Sequence, residues 1–241
     1  MEEKEVLSTP EAILTSRRFY GVLLEESQKI VAAEKERLAG HRFILPLEYS
    51  DFLNLFVSFG TACLMKRNQV RNFIVDEFNE PALRQLYYYV TNMDSFTGDL
   101  SKGILLQGKY GSGKTVLLET YSAFHNHIVR RFSLKHPLLT FIKSVELQEQ
   151  IRKKSIANFV RRPLIIDEFG RESKTVQDYG NTVRPISELL SLRSDVGAIT
   201  HATSNFTLST LSSDEFYGGM IGDRLRTMFN FITLPGESRR R

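Results

Sequence analysis

The sequence has little cysteine, no long apolar run and only a small excess of one charge. Its single cysteine, Cys63, can form neither an internal disulfide nor a multi-cysteine metal site, and we expect a buried apolar residue in a reducing compartment. The most apolar stretch, Leu53 to Met65, is interrupted by polar residues and is shorter than the ~20 residues that a membrane span needs. The N-terminus (MEEKEVLSTP) is acidic where a signal peptide would be basic and then apolar. These absences predict a soluble, cytoplasmic protein with no membrane partner.

Charge and length set two further limits. Lys and Arg number 32 against 28 Asp and Glu, which gives a net charge of +4. This excess permits contact with nucleic acid through clustered cations but does not require it. The 241 residues, 41% of them hydrophobic, are enough for one sizeable core and a smaller attached part. We expect a helical, partner-binding region over residues 1–95 and an α/β domain over residues 96–241.

Three helices are predicted in the N-terminal region. The first runs from Arg17 to Leu38, has a loose apolar stripe and ends at the stop signal Gly40. The third begins near Asn79 with Pro81 in its first turn. The second carries a clear apolar stripe on one face, formed by Phe52, Leu55, Phe56, Phe59 and Cys63. Such a stripe could be a partner surface, but it more often packs into a core, and we expect a core here.

From about residue 100 the pattern changes to short apolar runs that alternate with helical segments. Four runs are predicted as buried strands: Ile104–Gln107, Leu138–Ile142, Leu164–Ile166 and Ala198–Thr203. Strands that alternate with helices are typical of a parallel, doubly wound sheet. The predicted fold class is therefore α/β.

A glycine-rich segment follows the first of these strands and precedes a helix. It reads Gly108-Lys-Tyr-Gly-Ser-Gly-Lys-Thr115 and fits the phosphate-loop motif G-x-x-x-x-G-K-[ST]. Its glycines let backbone N–H groups face a phosphate, Lys114 would reach the β- and γ-phosphates, and the Thr115 hydroxyl would ligate Mg²⁺. A turn without a ligand is the weaker alternative, because motif and context agree. The predicted nucleotide-binding residues of this segment are Gly108, Gly111, Ser112, Gly113, Lys114 and Thr115.

Polar residues end the next two strands of the predicted core. Asp167 and Glu168 follow an apolar strand, at the edge where an open α/β sheet places its ligand groups. We expect Asp167 to bind Mg²⁺ beside the nucleotide, and Glu168 to orient or deprotonate an attacking water. Asn205 ends the following strand and is the candidate sensor of the γ-phosphate. Asp167 and Glu168 alone could form an ordinary turn, and so could the residues around Asn205. Only their combination with the phosphate loop favours a site.

The last 140 or so residues resemble the bacterial DnaC/IstB-like branch of AAA+ ATPases. The resemblance is carried by Lys102-Gly-Ile-Leu-Leu, by the phosphate loop, by Ile166-Asp-Glu-Phe-Gly-Arg-Glu and by Thr203-Ser-Asn-Phe. Two narrower motifs add to it, Tyr217-Gly-Gly-Met-Ile-Gly-Asp-Arg-Leu-Arg-Thr-Met-Phe and Leu234-Pro-Gly-Glu-Ser-Arg. It implies an AAA+ P-loop core over residues 96–241, with ATP and Mg²⁺ as cofactors and no C-terminal helical lid.

The resemblance also implies two catalytic arginines and self-association through the ATP site. Arg224 matches the arginine that such proteins insert into the ATP site of the next subunit, and Arg239 matches their second sensor, which contacts phosphate in its own subunit. A guanidinium suits both roles because it stays charged and grips phosphate oxygens. The alternatives are a surface ion pair for Arg224, for example with Asp223, and a solvated basic tail for Arg239.

The leading functional hypothesis is an ATP-hydrolysing helicase loader in DNA replication, with a replicative helicase and single-stranded DNA as partners. An IstB-like transposition helper, with a transposase and duplex DNA, is an alternative that the sequence separates poorly from a loader. A nucleotide-gated DNA-binding scaffold with little hydrolysis would share the same residues. A small-molecule kinase would need a lid with arginines over the phosphates, and the order of Asn205 and Arg224 argues against it.

Overall fold

The computed structural model describes residues 17–39, 45–178 and 181–239. The chain divides into two units, Met1–Phe43 and Ile44–Arg241. In the first unit the predicted helix is confirmed as α1, Arg17–Ala39. Its expected stop at Gly40 and the acidic first ten residues lie outside the described residues. No helix in the described ranges is long and apolar enough to cross a membrane.

The second unit begins with two helices that the sequence predicts, α2 (Tyr49–Met65) and α3 (Glu80–Val90). The apolar stripe of α2 packs as core at Phe52, Phe56 and Cys63, whereas Leu55 is exposed, so the prediction is wrong at that position. The Phe124 ring contacts the Phe52 ring edge-on at a centroid distance of 5.8 Å and the tilted Phe56 ring at 6.4 Å. The Tyr89 ring of α3 contacts the ring of His201 in the sheet at 5.8 Å. Helices α2 and α3 therefore pack against the α/β part, and the division near residue 95 stays a prediction about function.

The α/β part contains a five-stranded parallel sheet. Its strands are β1 (Gly103–Gln107), β2 (Thr140–Lys143), β3 (Leu164–Asp167), β6 (Thr200–Ser204) and β7 (Phe229–Thr233), in the order β2-β3-β6-β1-β7. A separate antiparallel pair is formed by β4 (Val176–Asp178) and β5 (Asn181–Val183). The helices are α4 (Lys114–Arg131), α5 (Ser144–Lys154), α6 (Ala157–Val160), α7 (Pro185–Asp195), α8 (Leu208–Leu211) and α9 (Gly219–Met228).

Two predicted strands begin later than expected, and local hydrogen bonds explain both differences. At Leu139 the side chain of Asn126 bonds both backbone groups, accepting from the N–H at 2.8 Å and donating to the carbonyl at 2.9 Å. The Ala198 N–H donates to the carbonyl of Arg193 at 2.9 Å, and the Arg193 guanidinium binds the carbonyl of Ile199 at 2.6 Å. The backbone N–H groups of Leu139 and Ala198 are thus bonded outside the ladder of the sheet, and β2 and β6 begin at Thr140 and Thr200.

The two faces of the sheet follow the period-two alternation of strand side chains. Leu105, Leu164, Ile166 and Ala202 belong to the core that includes Leu147 of α5, Leu189 of α7 and Leu225 of α9. Helix α4 packs on the other face, where the His201 ring contacts the ring of Tyr121 at 5.3 Å. The doubly wound α/β prediction is confirmed. Because β1, β3 and β6 run parallel at the centre, the residues that follow them meet at one edge of the sheet.

Candidate nucleotide-binding site

The phosphate loop between β1 and α4 is tight, and three of its positions require glycine for steric or backbone reasons. A Cβ at Gly108 would lie 2.3 Å from the carbonyl oxygen of Leu234, so any other residue would force the loop off its neighbour. Gly111 and Gly113 have φ angles of +81° and +102°, in the left-handed region that glycine enters without strain. Such a loop before a helix N-terminus provides backbone N–H groups and a positive helix end for an anion.

The Lys114 ammonium is held at the centre of the site. It donates to the carbonyl oxygens of Gly108 and Lys109 and to Oδ1 of Asn205, each at 2.8 Å. The side chain is only 6% exposed, which is rare for a lysine and requires such oxygen partners. Asn205, the predicted sensor, is therefore brought to the predicted phosphate-binding lysine.

Asp167 joins the phosphate loop to β6. Its Oδ1 accepts hydrogen bonds from Thr115 Oγ1 at 2.8 Å and from Thr203 Oγ1 at 2.6 Å, and the residue is 1% exposed. Thr203 also accepts a hydrogen bond from the Glu168 N–H at 3.0 Å. The register pairs Ile166 with Ala202, which puts Thr203 beside Asp167. The sequence prediction passed over Thr203 for Asn205, although the two residues share a face of the strand by the period of two.

The residues of this site fit Mg²⁺ held together with a phosphate. Thr115 and Asp167 offer hydroxyl and carboxylate oxygens, the ligand types that Mg²⁺ prefers. Within the described residues, no group of three or more His, Cys, Asp or Glu side chains could hold a metal by itself. Mg²⁺ at this position would therefore depend on phosphate and water for its other ligands, as is usual for this ion.

Glu168 lies next to this cluster but points to an arginine. Both carboxylate oxygens lie 2.7 Å from Nη1 of Arg171, which is 60% exposed in its side chain. The Glu168 backbone has φ of +56°, and its carbonyl accepts a hydrogen bond from Ser144 Oγ at 2.9 Å. The carboxylate therefore faces Arg171 in this conformation, and its remaining lone pairs can still accept a proton from water.

The two predicted arginines lie in different places. Arg239 lines the same cavity as the phosphate loop, and its Nη2 lies 2.6 Å from Oδ1 of Asp76. Arg224 is not among the residues that line this cavity, and it pairs with Asp195 of α7 and donates to the carbonyl of Ser191 at 3.3 Å. The alternative of an ion pair for Arg224 is thus present in this conformation, with Asp195 of a neighbouring helix as the partner and not Asp223.

The sequence did not predict that residues before the sheet form one wall of the site. The cavity has a volume of about 860 Å³, and Arg67, Arg71 and Asp76 from the segment between α2 and α3 line it. Arg67 pairs with Glu119 at 2.5 Å, and burial raises the pKa of Glu119 in spite of this arginine. Glu119 lies one helical turn after Thr115, and this spacing could have indicated that Glu119 lines the same cavity. Arg67, Arg71 and Asp76 are brought to the cavity by tertiary packing, and no local sequence pattern indicates this position.

The fold and the arrangement of the phosphate loop, Asp167 and Asn205 define the class of protein as a P-loop, AAA+-type α/β fold. DnaI, as a solved structure, is similar with a TM-score of 0.50 and 23% identity over 70% of this chain and 87% of that chain. The structure titled as the DnaC helicase loader is similar with a TM-score of 0.49 and 18% identity, over 67% of this chain and 93% of that one. No protein-family model and no curated protein matches the sequence. The likeness to DnaI shows the fold, and this fold agrees with the one that the motifs imply.

Proposed function

We propose that this chain is an AAA+ ATPase that binds and hydrolyses MgATP and acts as a helicase loader in DNA replication. The observation that carries the enzymatic part is the convergence of Lys114, Asp167 and Asn205 on one cavity at the carboxyl edge of the sheet. The loader part is supported by the sequence resemblance over residues 217–229 and 234–239. A replicative helicase and single-stranded DNA are the proposed partners.

Each residue of the site has a distinct role in this proposal. The Lys114 ammonium would neutralise charge on the β- and γ-phosphates, and Thr115 and Asp167 would hold Mg²⁺, which would supply further positive charge there. Glu168 accepts the proton of the attacking water as the water oxygen bonds to the γ-phosphorus and the bond from that phosphorus to the leaving ADP oxygen breaks. Asn205, which is bonded to Lys114, would sense the γ-phosphate. ATP supplies the energy of the phosphoanhydride bond, and these side chains supply position and charge.

The first test is Glu168→Gln, which keeps the size of the side chain and removes the carboxylate. We expect single-turnover hydrolysis to be slower by about 100-fold while the Kd for MgATP stays within about threefold of the parent. Arg171→Gln is the matched control, because it removes the partner of Glu168 without removing the base. Hydrolysis at the parental rate in Glu168→Gln would mean that Glu168 only shapes the turn after β3.

A second test concerns the hydroxyl of Thr203, which fixes the orientation of Asp167. Thr203→Val is nearly isosteric and removes this donor, together with the acceptor of the Glu168 N–H. We expect the Mg²⁺ concentration for half-maximal hydrolysis to rise by about tenfold, because Asp167 loses a charge-assisted hydrogen bond worth about 1.5–3 kcal/mol. Ser204→Ala on the same strand is the control, since Ser204 donates to the carbonyl of Phe169 and not to Asp167. Equal Mg²⁺ dependence in parent and Thr203→Val would contradict this role.

The partner is tested with the same Glu168→Gln variant as a trap for the ATP-bound state. Recovery of a helicase with the trapped protein from native cells would support the loader proposal, and recovery of a transposase would favour the transposition alternative. The turnover rate with and without single-stranded DNA and helicase separates an active ATPase from a slow scaffold.

A further inference from the structure

The segment after β7 runs along the phosphate loop. Because β7 pairs with β1 and Gln107 stands opposite Thr233, the next residue, Leu234, donates its N–H to the carbonyl of Gln107 at 2.7 Å. Farther on, the Arg239 N–H donates to the carbonyl of Gly111 at 2.9 Å. A Cβ at Gly113 would lie 3.4 Å from Cδ of Arg239. The Arg239 side chain therefore passes over Gly113, the last glycine of the loop, where α4 starts.

From this position the guanidinium turns to the opposite wall of the cavity. Its Nη2 lies 2.6 Å from Oδ1 of Asp76, and Arg71 donates to the carbonyl of Arg239 at 2.5 Å. Asp76 itself closes the turn before α3, where Oδ1 also accepts the N–H groups of Phe78 at 3.0 Å and Asn79 at 3.2 Å. Burial raises the pKa of Asp76, but the bonds from Arg239 and Phe78 outweigh it and hold the pKa below its ordinary value.

We propose that Asp76 is a positioning residue that competes with the phosphate of a bound nucleotide for Arg239. This inference rests on the proposed function, because it requires a nucleotide in the cavity. If the Arg239 guanidinium shifts toward phosphates bound over Gly113, it loses its ion pair with Asp76. The Asp76 carboxylate also places a negative charge on the wall of the cavity that would receive these anions. Nucleotide binding then replaces Asp76 by phosphate as the partner of the Arg239 guanidinium. The segment between α2 and α3 thereby loses its ion pair with the residues after β7.

The test is the Kd for MgATP, measured by isothermal titration calorimetry. Asp76→Asn retains an oxygen acceptor for the turn before α3 and removes the charge. We expect binding to become tighter by about three- to tenfold, the size of a partly exposed ion pair. In the Arg239→Ala background the same Asp76→Asn change is expected to have no effect. Glu146→Gln is the matched control, because Glu146 also lines the cavity. Its substitution measures how much the removal of any one negative charge from the cavity changes the Kd.

A second measurement needs no nucleotide. Asp76→Asn is expected to lower the melting temperature of the free protein when Arg239 is present and to leave it unchanged in Arg239→Ala. Unchanged or weaker ATP binding in Asp76→Asn would overturn the inference, as would an equal gain in the Arg239→Ala background or in Glu146→Gln. If the parent binds ATP and this cycle shows no coupling, the proposed function stands and the inference falls. A folded parent that binds no ATP overturns both.

Discussion

Lys114→Ala is expected to weaken MgATP binding by about 100-fold or more, the largest loss of affinity that we expect from one substitution in this site. The ammonium is the cation that the structure holds among the oxygens of Gly108, Lys109 and Asn205, and alanine leaves no positive charge at that point. The fold should persist, because Lys114 and Asn205 line an open cavity, from which water can replace the ammonium. Calorimetric titration with MgATP, together with a thermal melt of the free variant, measures both effects.

Lys109→Ala is the matched control for this result. Lys109 belongs to the same loop, but its side chain is 73% exposed and pairs with Glu237 at 2.8 Å. A surface pair of this kind contributes little to stability, and Lys109→Ala should bind MgATP within about threefold of the parent. If both variants lost the same affinity, general positive charge would explain binding. An unchanged affinity in folded Lys114→Ala would remove the basis of the proposed function.

The parts of the site that the sequence predicts well are those whose geometry depends on neighbours in the chain. The phosphate loop is fixed by its own glycines and by the strand and helix that flank it, so its position follows from a local motif. Asp167 is the last residue of a fully buried strand, and the packing of that strand then brings it to Thr115. The roles of these residues toward ATP and Mg²⁺ stay predictions, because they concern ligands that the fold alone does not identify.

The parts that sequence reasoning missed depend on contacts distant in the chain. Strand β7 was not predicted because it is an edge strand, in which the polar Asn230 interrupts the short apolar pattern. Its position is nevertheless secured by Asn230, whose side chain donates to the carbonyl of Asp99 at 2.8 Å. The approach of Asp76 to Arg239 spans 163 positions and has no local signature.

Helix α9, which carries Arg224, is connected to the turn after β3 by a buried contact. The Tyr217 ring stacks on Phe169 at 4.8 Å, and its hydroxyl donates to the carboxylate of Glu172. Burial, followed by the charge of Glu172, raises the pKa of Tyr217 well above its ordinary value, so the hydroxyl stays protonated and remains a donor. Glu172 also accepts the Gly170 N–H at 3.0 Å. A shift of the turn that carries Glu168 would therefore act on the start of α9 through Tyr217.

Arg224→Ala is expected to bind MgATP as well as the parent and to hydrolyse it about 1000-fold more slowly, if Arg224 acts in the ATP site of a neighbouring subunit. The cavity of its own subunit does not include Arg224 among its described lining residues, so its removal should leave ground-state binding intact. An arginine that stabilises charge only in the transition state changes the rate of the chemical step and not the Kd. Single-turnover rates and calorimetric Kd values, taken at the same protein concentration, measure the two quantities separately.

Asp195→Asn separates this role from a structural one, because it removes the partner of Arg224 and keeps the guanidinium. If the ion pair only fastened α9 to α7, both substitutions would lower the melting temperature and slow hydrolysis to the same extent. In a trans role, Asp195→Asn keeps most of the rate. Mixing Arg224→Ala, whose own ATP site is whole, with Lys114→Ala, whose Arg224 is intact, should then restore activity at their shared interfaces. Rates that equal the sum of the separate proteins, at concentrations where mixed assembly is verified independently, would leave Arg224 as a residue that joins two helices of one subunit.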